Sequence, residues 1–294
     1  MSETGITLQQ KKEKTELVLA NIYNLPPIPK VISDVLRLLD SQTTSMTVLN
    51  AAISKDHSLV TKILSIANSP LYGLQRKVST IDFAILILGF SELRNIVSVL
   101  ALIESFKNKS DKYLDHRDFW LHSFLIGNAA KKIAEDLGFN NSGEAFIAGF
   151  LHEIGVSIIH RFFHSSFITI TNQVNFENLS YRDAELMTLG MTHEDIGAFM
   201  LEKWNFPVVL ADAVRFHHNP AGSLSGRSLA SLVHLADFMT QELMIGNFKW
   251  DNNLKLNKAA VSVLGFNGPD GVIKFVEKYK ELFVHQKLAV RYLN

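Results

Sequence analysis

Residues Gly143–Phe163 read GEAFIAGFLHEIGVSIIHRFF. Ala145, Phe146, Ala148, Phe150, Leu151, Ile154, Ile158, Ile159 and Phe162 cover nearly every direction of a helix. The spacing therefore predicts one central helix from Glu144 to Phe163, running through the interior of the fold. In its middle sit His152 and Glu153. Taking a carboxylate out of water costs several kcal/mol unless a cation, a metal or a hydrogen-bond network answers it. Something must answer Glu153, and the identity of that partner is the route to function.

Outward from this stretch the pattern stays helical. On the N-terminal side Phe119–Leu137 reads as a long helix ending at Gly138. Before it, Asn108–His116 is polar and marks a boundary between two helical lobes. Further upstream, Leu25–Pro29 (LPPIP) is a rigid extended segment, because proline fixes φ and disfavours helix before it. A helix follows from about Lys30 to Asp40, then Thr47–Ser54, then one capped by Asp56. Asn68–Ser69–Pro70 is a breaker, and Tyr72–Val78 a loop around Gly73. Ser79 with Asp82 looks like a capping box opening Ile81–Leu88, Gly89 ends that helix, and Ser91 starts another running to about Phe106. On the C-terminal side Gln173–Leu179 reads as an Asn-rich loop and Tyr181–Leu189 as a helix. Thr192 caps a helix through Trp204, and Pro207 begins one ending at His217–His218. The loop Ala221–Gly226 leads into a helix from Ser228 to about Leu243, and a last one spans Pro269–Phe283. With no sustained period-2 alternation and no repeat of fixed length, the chain is expected to be all-α.

Bulk composition narrows the function classes. Of 294 residues, 47% are hydrophobic and 20% charged, as in a well-filled globule. Lys+Arg and Asp+Glu are both 29, so nothing electrostatic points to nucleic acid or to an anionic membrane. Cysteine is absent, which excludes disulfides and thiolate metal sites. The polar start (Gln9–Lys14 is QQKKEK) lacks the apolar segment of a signal peptide. The apolar run Ile81–Phe90 contains Asp82 and is too short to span a bilayer, so a cytoplasmic protein is expected.

Eleven histidines are the compositional hint of site chemistry. His122 lies in FWLHSFLIGNAA, His193 opens THEDIGAFML, His217 and His218 end a helix, and Asp237 sits in the apolar HLADFM. Imidazole and carboxylate suit Fe, Mn, Zn or Mg. Neighbours on a helix point about 100° apart, so His217 and His218 are expected to reach two adjacent ions rather than chelate one. His152–Glu153 has the same property, and a carboxylate can bridge, so the set resembles a dinuclear site. Each residue alone also has a plainer reading. A histidine on an apolar face can be a hydrogen-bonded core residue, and His217–His218 can simply favour a helix C-terminus. Asp237 can cap a helix or pair with an arginine, and Glu153 can pair with a cation from the first lobe. Arg76, Lys77 and Arg94 offer positive charge there, for a phosphate or partner or merely for solvent, with Arg94 alternatively the buried partner of Asp82. Glu185 can orient a ligand histidine from behind or lie solvated.

The joint order His122, His152–Glu153, His193, His217–His218, Asp237 resembles the metal-dependent phosphohydrolases of the HD superfamily, named for an adjacent His-Asp pair. It looks most like the HD-GYP branch, in which such residues hold two or three metals. LPPIPKVISDVLRLLD, ISKDHSLVTKILSIANSPLYGL, VSTIDFAILILGFSELRNIV, FWLHS and GFLHEIG together resemble the HDOD family, the HD-related output domain of bacterial signalling proteins. The match runs roughly from Leu25 to Asp237. Two departures bear on mechanism. Where the HD-GYP pattern has HDIGK this chain has HEIGV, so Glu153 carries an extra methylene and Val156 replaces the lysine that would contact a phosphate. Asn219–Pro220–Ala221–Gly222 also stands where the GYP segment would be.

The resemblance implies a two-lobed, multi-helix HD-like fold. It divides into a flexible tail over 1–20, an N-terminal lobe over 21–108, an HD-like core over 109–245 and a C-terminal helical extension over 246–294. It implies a bacterial regulatory module without catalysis, with a retained centre built from His122, His152, Glu153, His193, His217, His218 and Asp237, and Glu185 behind them. That centre would take a divalent metal, Fe or Mn before Zn, as a dinuclear pair. Signalling proteins are the implied partners, with a nucleotide or phosphate as ligand and neither nucleic acid nor membrane. The alternative is a metal-dependent phosphohydrolase acting on nucleotides or a cyclic dinucleotide.

Overall fold

The structure, a computed structural model, describes residues 6–22, 28–68, 76–106, 110–245, 248–250, 254–281 and 283. Among them there is no strand. The first helices are α1 (Leu8–Ala20), α2 (Lys30–Asp40), α3 (Met46–Ile53), α4 (His57–Ala67) and α5 (Ile81–Ser105). Next come α6 (His116–Asp136), α7 (Ser142–Leu151), α8 (Ile154–Phe162), α9 (His164–Glu177) and α10 (Tyr181–Leu189). The series closes with α11 (His193–Lys203), α12 (Val208–Arg215), α13 (Arg227–Glu242), α14 (Lys258–Val263) and α15 (Pro269–Glu277). Most of the expected Leu25–Pro29 segment, Ser69–Pro70 and the Tyr72–Gln75 part of the next loop lie outside the described residues.

The chain divides into two compact units, Met1–Leu25 with Asn108–Ile273, and Pro26–Lys107 with Lys274–Asn294. Within the second unit α2, α3 and α4 all pack on α5. Asp56 caps α4 by accepting hydrogen bonds from the amides of Ser58 and Leu59 at 2.8 and 3.0 Å. The cap of α5 is Thr80, whose hydroxyl accepts from the Phe83 amide, and not Ser79. Gly89 lies at φ 74°, ψ 169°, a conformation that suits glycine, and its kink separates two helical stretches within α5, as the sequence reading expects. Arg94 does not pair with Asp82. Its Nε lies 2.6 Å from Asp40 Oδ1, with both side chains about half exposed, because this part of α5 faces the solvated end of α2.

α5 measures 25 residues and is apolar enough, by length and composition alone, to cross a membrane, as is Ser142–Phe162. The apolar windows are 50% and 78% buried within the protein itself, which accounts for much of their hydrophobicity.

In the first unit the antiparallel neighbours α6 and α7 pack against α13, and α11 lies between α8 and α12. Three sequence expectations fail here. First, the tail contains α1. Thr7 and Gln10 form a capping box, and α1 packs on α10 with Leu19 fully buried and the Thr15 hydroxyl donating to Leu189 O at 2.7 Å. Only Thr15 and Leu19 of that helix are buried, so its polar sequence gave no apolar stripe to read. Second, the central helix is broken. Glu153 leaves helical geometry at φ −97°, ψ 11°, separating α7 from α8 between Leu151 and Ile154. Third, the Asn-rich segment continues α9 to Glu177, and only its last two residues, Asn178 and Leu179, leave the helix, with Asn178 in the left-handed region at φ 59°. The first unit also extends past residue 245, because α14 packs on α13 and the Asn257 amide donates to His234 Nε2 at 2.9 Å.

Candidate metal centre

Each candidate residue stands at a helix end or on a buried helix face of the first unit. His122 lies on α6, and His152 and Glu153 occupy the break between α7 and α8. His193 is the first residue of α11, fixed there by a Thr192–Asp195 capping box. His217 and His218 lie just beyond α12, and Asp237 on α13. His122 is 8% exposed, Glu153 and Asp237 1%, and His152, His193 and His217 0%.

These side chains converge as two overlapping groups. Ligand atoms of Glu153, His193, His217 and His218 all lie within 4.8 Å of one another, as do those of His122, His152 and Glu153. Glu153 belongs to both. Its Oε2 is 3.4 Å from His193 Nε2 and its Oε1 3.9 Å from His152 Nε2. Thus histidines of its own unit stand beside the Glu153 carboxylate. His193 Nε2 also lies 3.3 Å from His218 Nε2. Asp237 joins neither group. It stands 3.9 Å from His122 Nε2, with Gln241 Nε2 donating to its carboxylate at 3.3 and 3.4 Å.

His217 and His218 correct a sequence expectation. They were expected to serve different ions because helix neighbours diverge by about 100°. α12 ends at Arg215, so helical geometry does not govern them, and their rings lie 4.0 Å apart, centroid to centroid, in the same group.

The ring nitrogens decide what this arrangement can hold. His152 Nδ1 donates to Gly149 O at 2.7 Å and His217 Nδ1 to Val214 O at 2.6 Å. A carbonyl oxygen only accepts, so Nδ1 carries the proton and Nε2 keeps its lone pair. Both Nε2 atoms are buried and make no hydrogen bond. A buried lone pair facing a carboxylate is the state that a metal-ligating histidine needs, with its other nitrogen tied to an acceptor. The residues therefore fit a divalent cation.

His193 is prepared differently. The Glu185 carboxylate accepts from both its backbone amide (2.8 Å) and its Nδ1 (2.9 Å). Glu185 is fully buried and also accepts from Trp250 Nε1 at 2.9 Å. Of the two sequence readings of Glu185, the structure places it behind a histidine and away from solvent.

Charge follows burial. Desolvation pushes His122 down to about 3. Burial, with the neighbouring histidines, holds His152 and His217 well below the ordinary imidazole range. Burial also acts downward on His193, but the carboxylates of Glu185, Glu153 and Glu194 outweigh it and raise this imidazole well above that range.

Sequence reasoning missed four contributors. Glu194 is 2% exposed, 2.8 Å from Arg182 Nε and 3.6 Å from His193 Nδ1. Its adjacency to His193 repeats the His-Glu pattern of His152–Glu153 and was a usable signal. His234 donates from Nδ1 to His217 O at 2.8 Å and fixes that backbone. Trp250 and Phe248 approach from far along the chain, Phe248 stacking on His122 at 4.6 Å between centroids, and no local pattern announces them.

With this geometry in hand, the comparisons are specific. The HDOD domain model matches residues 25–220. An HDOD domain protein of unknown function from Geobacter sulfurreducens has a similar structure, with a TM-score of 0.77 and 22% identity, covering 98% of this chain and 99% of that one. A candidate metal-dependent phosphohydrolase from Shewanella amazonensis SB2B gives a TM-score of 0.63 at 16% identity, covering 96% of each chain. An uncharacterized protein of Treponema pallidum (strain Nichols) is 23% identical over 250 residues, which is 84% of this chain but 48% of that protein. The chain thus spans about half the length of the curated relative it matches.

Proposed function

This chain belongs to the HDOD domain family, and we propose that within it the chain is a regulatory module of bacterial signalling. Its buried His/acid centre holds divalent metal without hydrolysing a phosphoester. Val156 carries this reading. It stands one turn beyond Glu153, fully buried on α8, where the related hydrolase pattern has a lysine for the substrate phosphate. Phosphoryl transfer depends on neutralising the charge that accumulates on the phosphate oxygens, and an aliphatic side chain supplies none. The near-complete burial of the ligand set supports the same reading, since a substrate must reach the metal to be cleaved.

In this reading Glu153, which belongs to both groups, would contribute its carboxylate to each. His152 and His122 serve one, while His193, His217 and His218 serve the other, with Asp237 behind His122 and Glu185 orienting His193. Histidine and carboxylate ligands without sulfur favour Fe or Mn, with Zn also accommodated. When bound, such ions would supply positive charge that holds the carboxylate and imidazoles together across four chain segments. The module then works in the cytoplasm through a protein partner, with a nucleotide or phosphate as its signal.

One observation favours a second reading, a metal-dependent phosphohydrolase acting on nucleotides or a cyclic dinucleotide: the unprotonated Nε2 atoms of His152 and His217 are kept. Turnover of a phosphodiester panel with Mn²⁺ or Fe²⁺ supplied separates the two. The regulatory reading expects none above the metal-only blank. Turnover that disappears in a His152→Ala variant would establish the hydrolase instead.

A further inference from the structure

A second cluster lies in the same unit, on residues that the sequence reading assigns to no site. Asp111, His160 and His164 offer one ligand atom each within 4.8 Å of one another. Asp111 Oδ2 is 3.1 Å from His160 Nε2 and 3.5 Å from His164 Nε2. For ligands about 2.0–2.1 Å from a tetrahedral zinc, neighbouring ligand atoms are about 3.3 Å apart. The two measured separations straddle that edge length.

The unused atoms of all three side chains are already engaged. Asp111 Oδ1 accepts from the amides of Tyr113 and Leu114 at 2.8 and 3.0 Å, which aims Oδ2 at the histidines. His164 Nδ1 donates to His160 O at 3.3 Å, leaving the lone pair on Nε2. His160 Nδ1 faces His116 Nε2 at 3.3 Å, and His116 is itself 6% exposed. Outer hydrogen bonds of this kind fix the ring orientation of metal-ligating histidines. His160 is 5% exposed as a side chain, while Asp111 and His164 are 30% and 49% exposed, so an ion can enter from solvent and keep a fourth position open.

We propose that Asp111, His160 and His164 form a second cation site for Zn²⁺ or a similar borderline divalent ion, three-coordinate from the protein and open to solvent. His160 stands toward the far end of α8 from Glu153, the residue just before that helix. The alternative is a purely protonic network in which His160 Nε2–H donates to Asp111.

The chain contains no cysteine, which gives a clean probe. Chelator-stripped full-length protein is titrated with Co²⁺, alongside Asp111→Asn, His164→Ala and His164→Cys variants checked for folding by circular dichroism. Asp111→Asn and His164→Ala are each expected to lose one equivalent of bound Co²⁺ and retain the rest. His164→Cys is expected to keep that equivalent and gain a thiolate-to-cobalt charge-transfer band that excess Zn²⁺ abolishes. Unchanged stoichiometry in the first two variants, or a folded His164→Cys protein without the band, would overturn the site and leave the protonic network.

Discussion

Glu185 shows how a single residue tunes the centre from behind. Its carboxylate holds the amide and Nδ1 of His193 and receives the Trp250 indole N–H, so the ring presents Nε2 to Glu153 and His218 in one orientation. Replacing it by glutamine keeps the shape but removes the charge that makes His193 basic. Glu185→Gln is expected to weaken metal binding about 10- to 100-fold, measured by competition with a chromogenic chelator; an affinity equal to wild type would place Glu185 outside the centre's function. At this scale the sequence was legible where identity and order suffice, as with His152, His193 and His217. It was not legible where partners come from distant segments. Trp250 is 65 residues from Glu185, and nothing local to either foretells the bond.

Among elements, the break between α7 and α8 does the positioning. A continuous helix would rotate Glu153 steadily away from His152; the turn at Glu153 lets both side chains serve one buried region. The apolar residues on either side were read correctly as interior, since Phe146, Phe150, Leu151, Ile158 and Ile159 are all buried. Periodicity alone does not reveal a one-residue departure from helical dihedrals, because the hydrophobic pattern resumes immediately after it. The break also brings α8 against α11. A Cβ added at Gly155 would lie 2.0 Å from His193 O and 3.0 Å from the Gly197 amide nitrogen, and both are backbone atoms that cannot swing aside. Gly155→Ala is therefore expected to cost about 1–3 kcal/mol or more through overpacking, and to displace His193 from the centre. Chemical denaturation with parallel metal analysis checks it, and a variant matching wild type in both would mean that α8 and α11 do not approach so closely.

For the molecule as a whole, buried histidines set the response to pH. His116 and His234 are pushed down to about 4 and His122 to about 3, chiefly by burial, and His152 and His217 are also held low. Unfolded, such groups take up protons near pH 6.5. A folded pKa below the unfolded one means that the unfolded chain binds more protons in between, so stability is full above about pH 6.5 and falls as pH drops toward 4. His193 works in the opposite sense, because its raised pKa stabilises at low pH and loses that contribution as pH rises. Five lowered histidines against one raised one predict that the denaturation midpoint of metal-free protein falls between pH 7 and pH 4; a flat or rising profile would contradict the burial described. The all-α class and the HD-like resemblance were legible from helical periodicity and motif order, and the HDOD domain match carries the same assignment. What escaped was the polar helix α1, whose helicity rests on a cap and on packing against α10 rather than on an apolar face.

In the proposed function the buried lone pairs at His152 and His217 hold metal. Anomalous difference density from a crystal grown with Mn²⁺ tests it most directly. The account predicts peaks within bonding distance of His152 Nε2 and His217 Nε2, on either side of the Glu153 carboxylate. An empty map there, with ordered water donating to both nitrogens at saturating Mn²⁺, would contradict it.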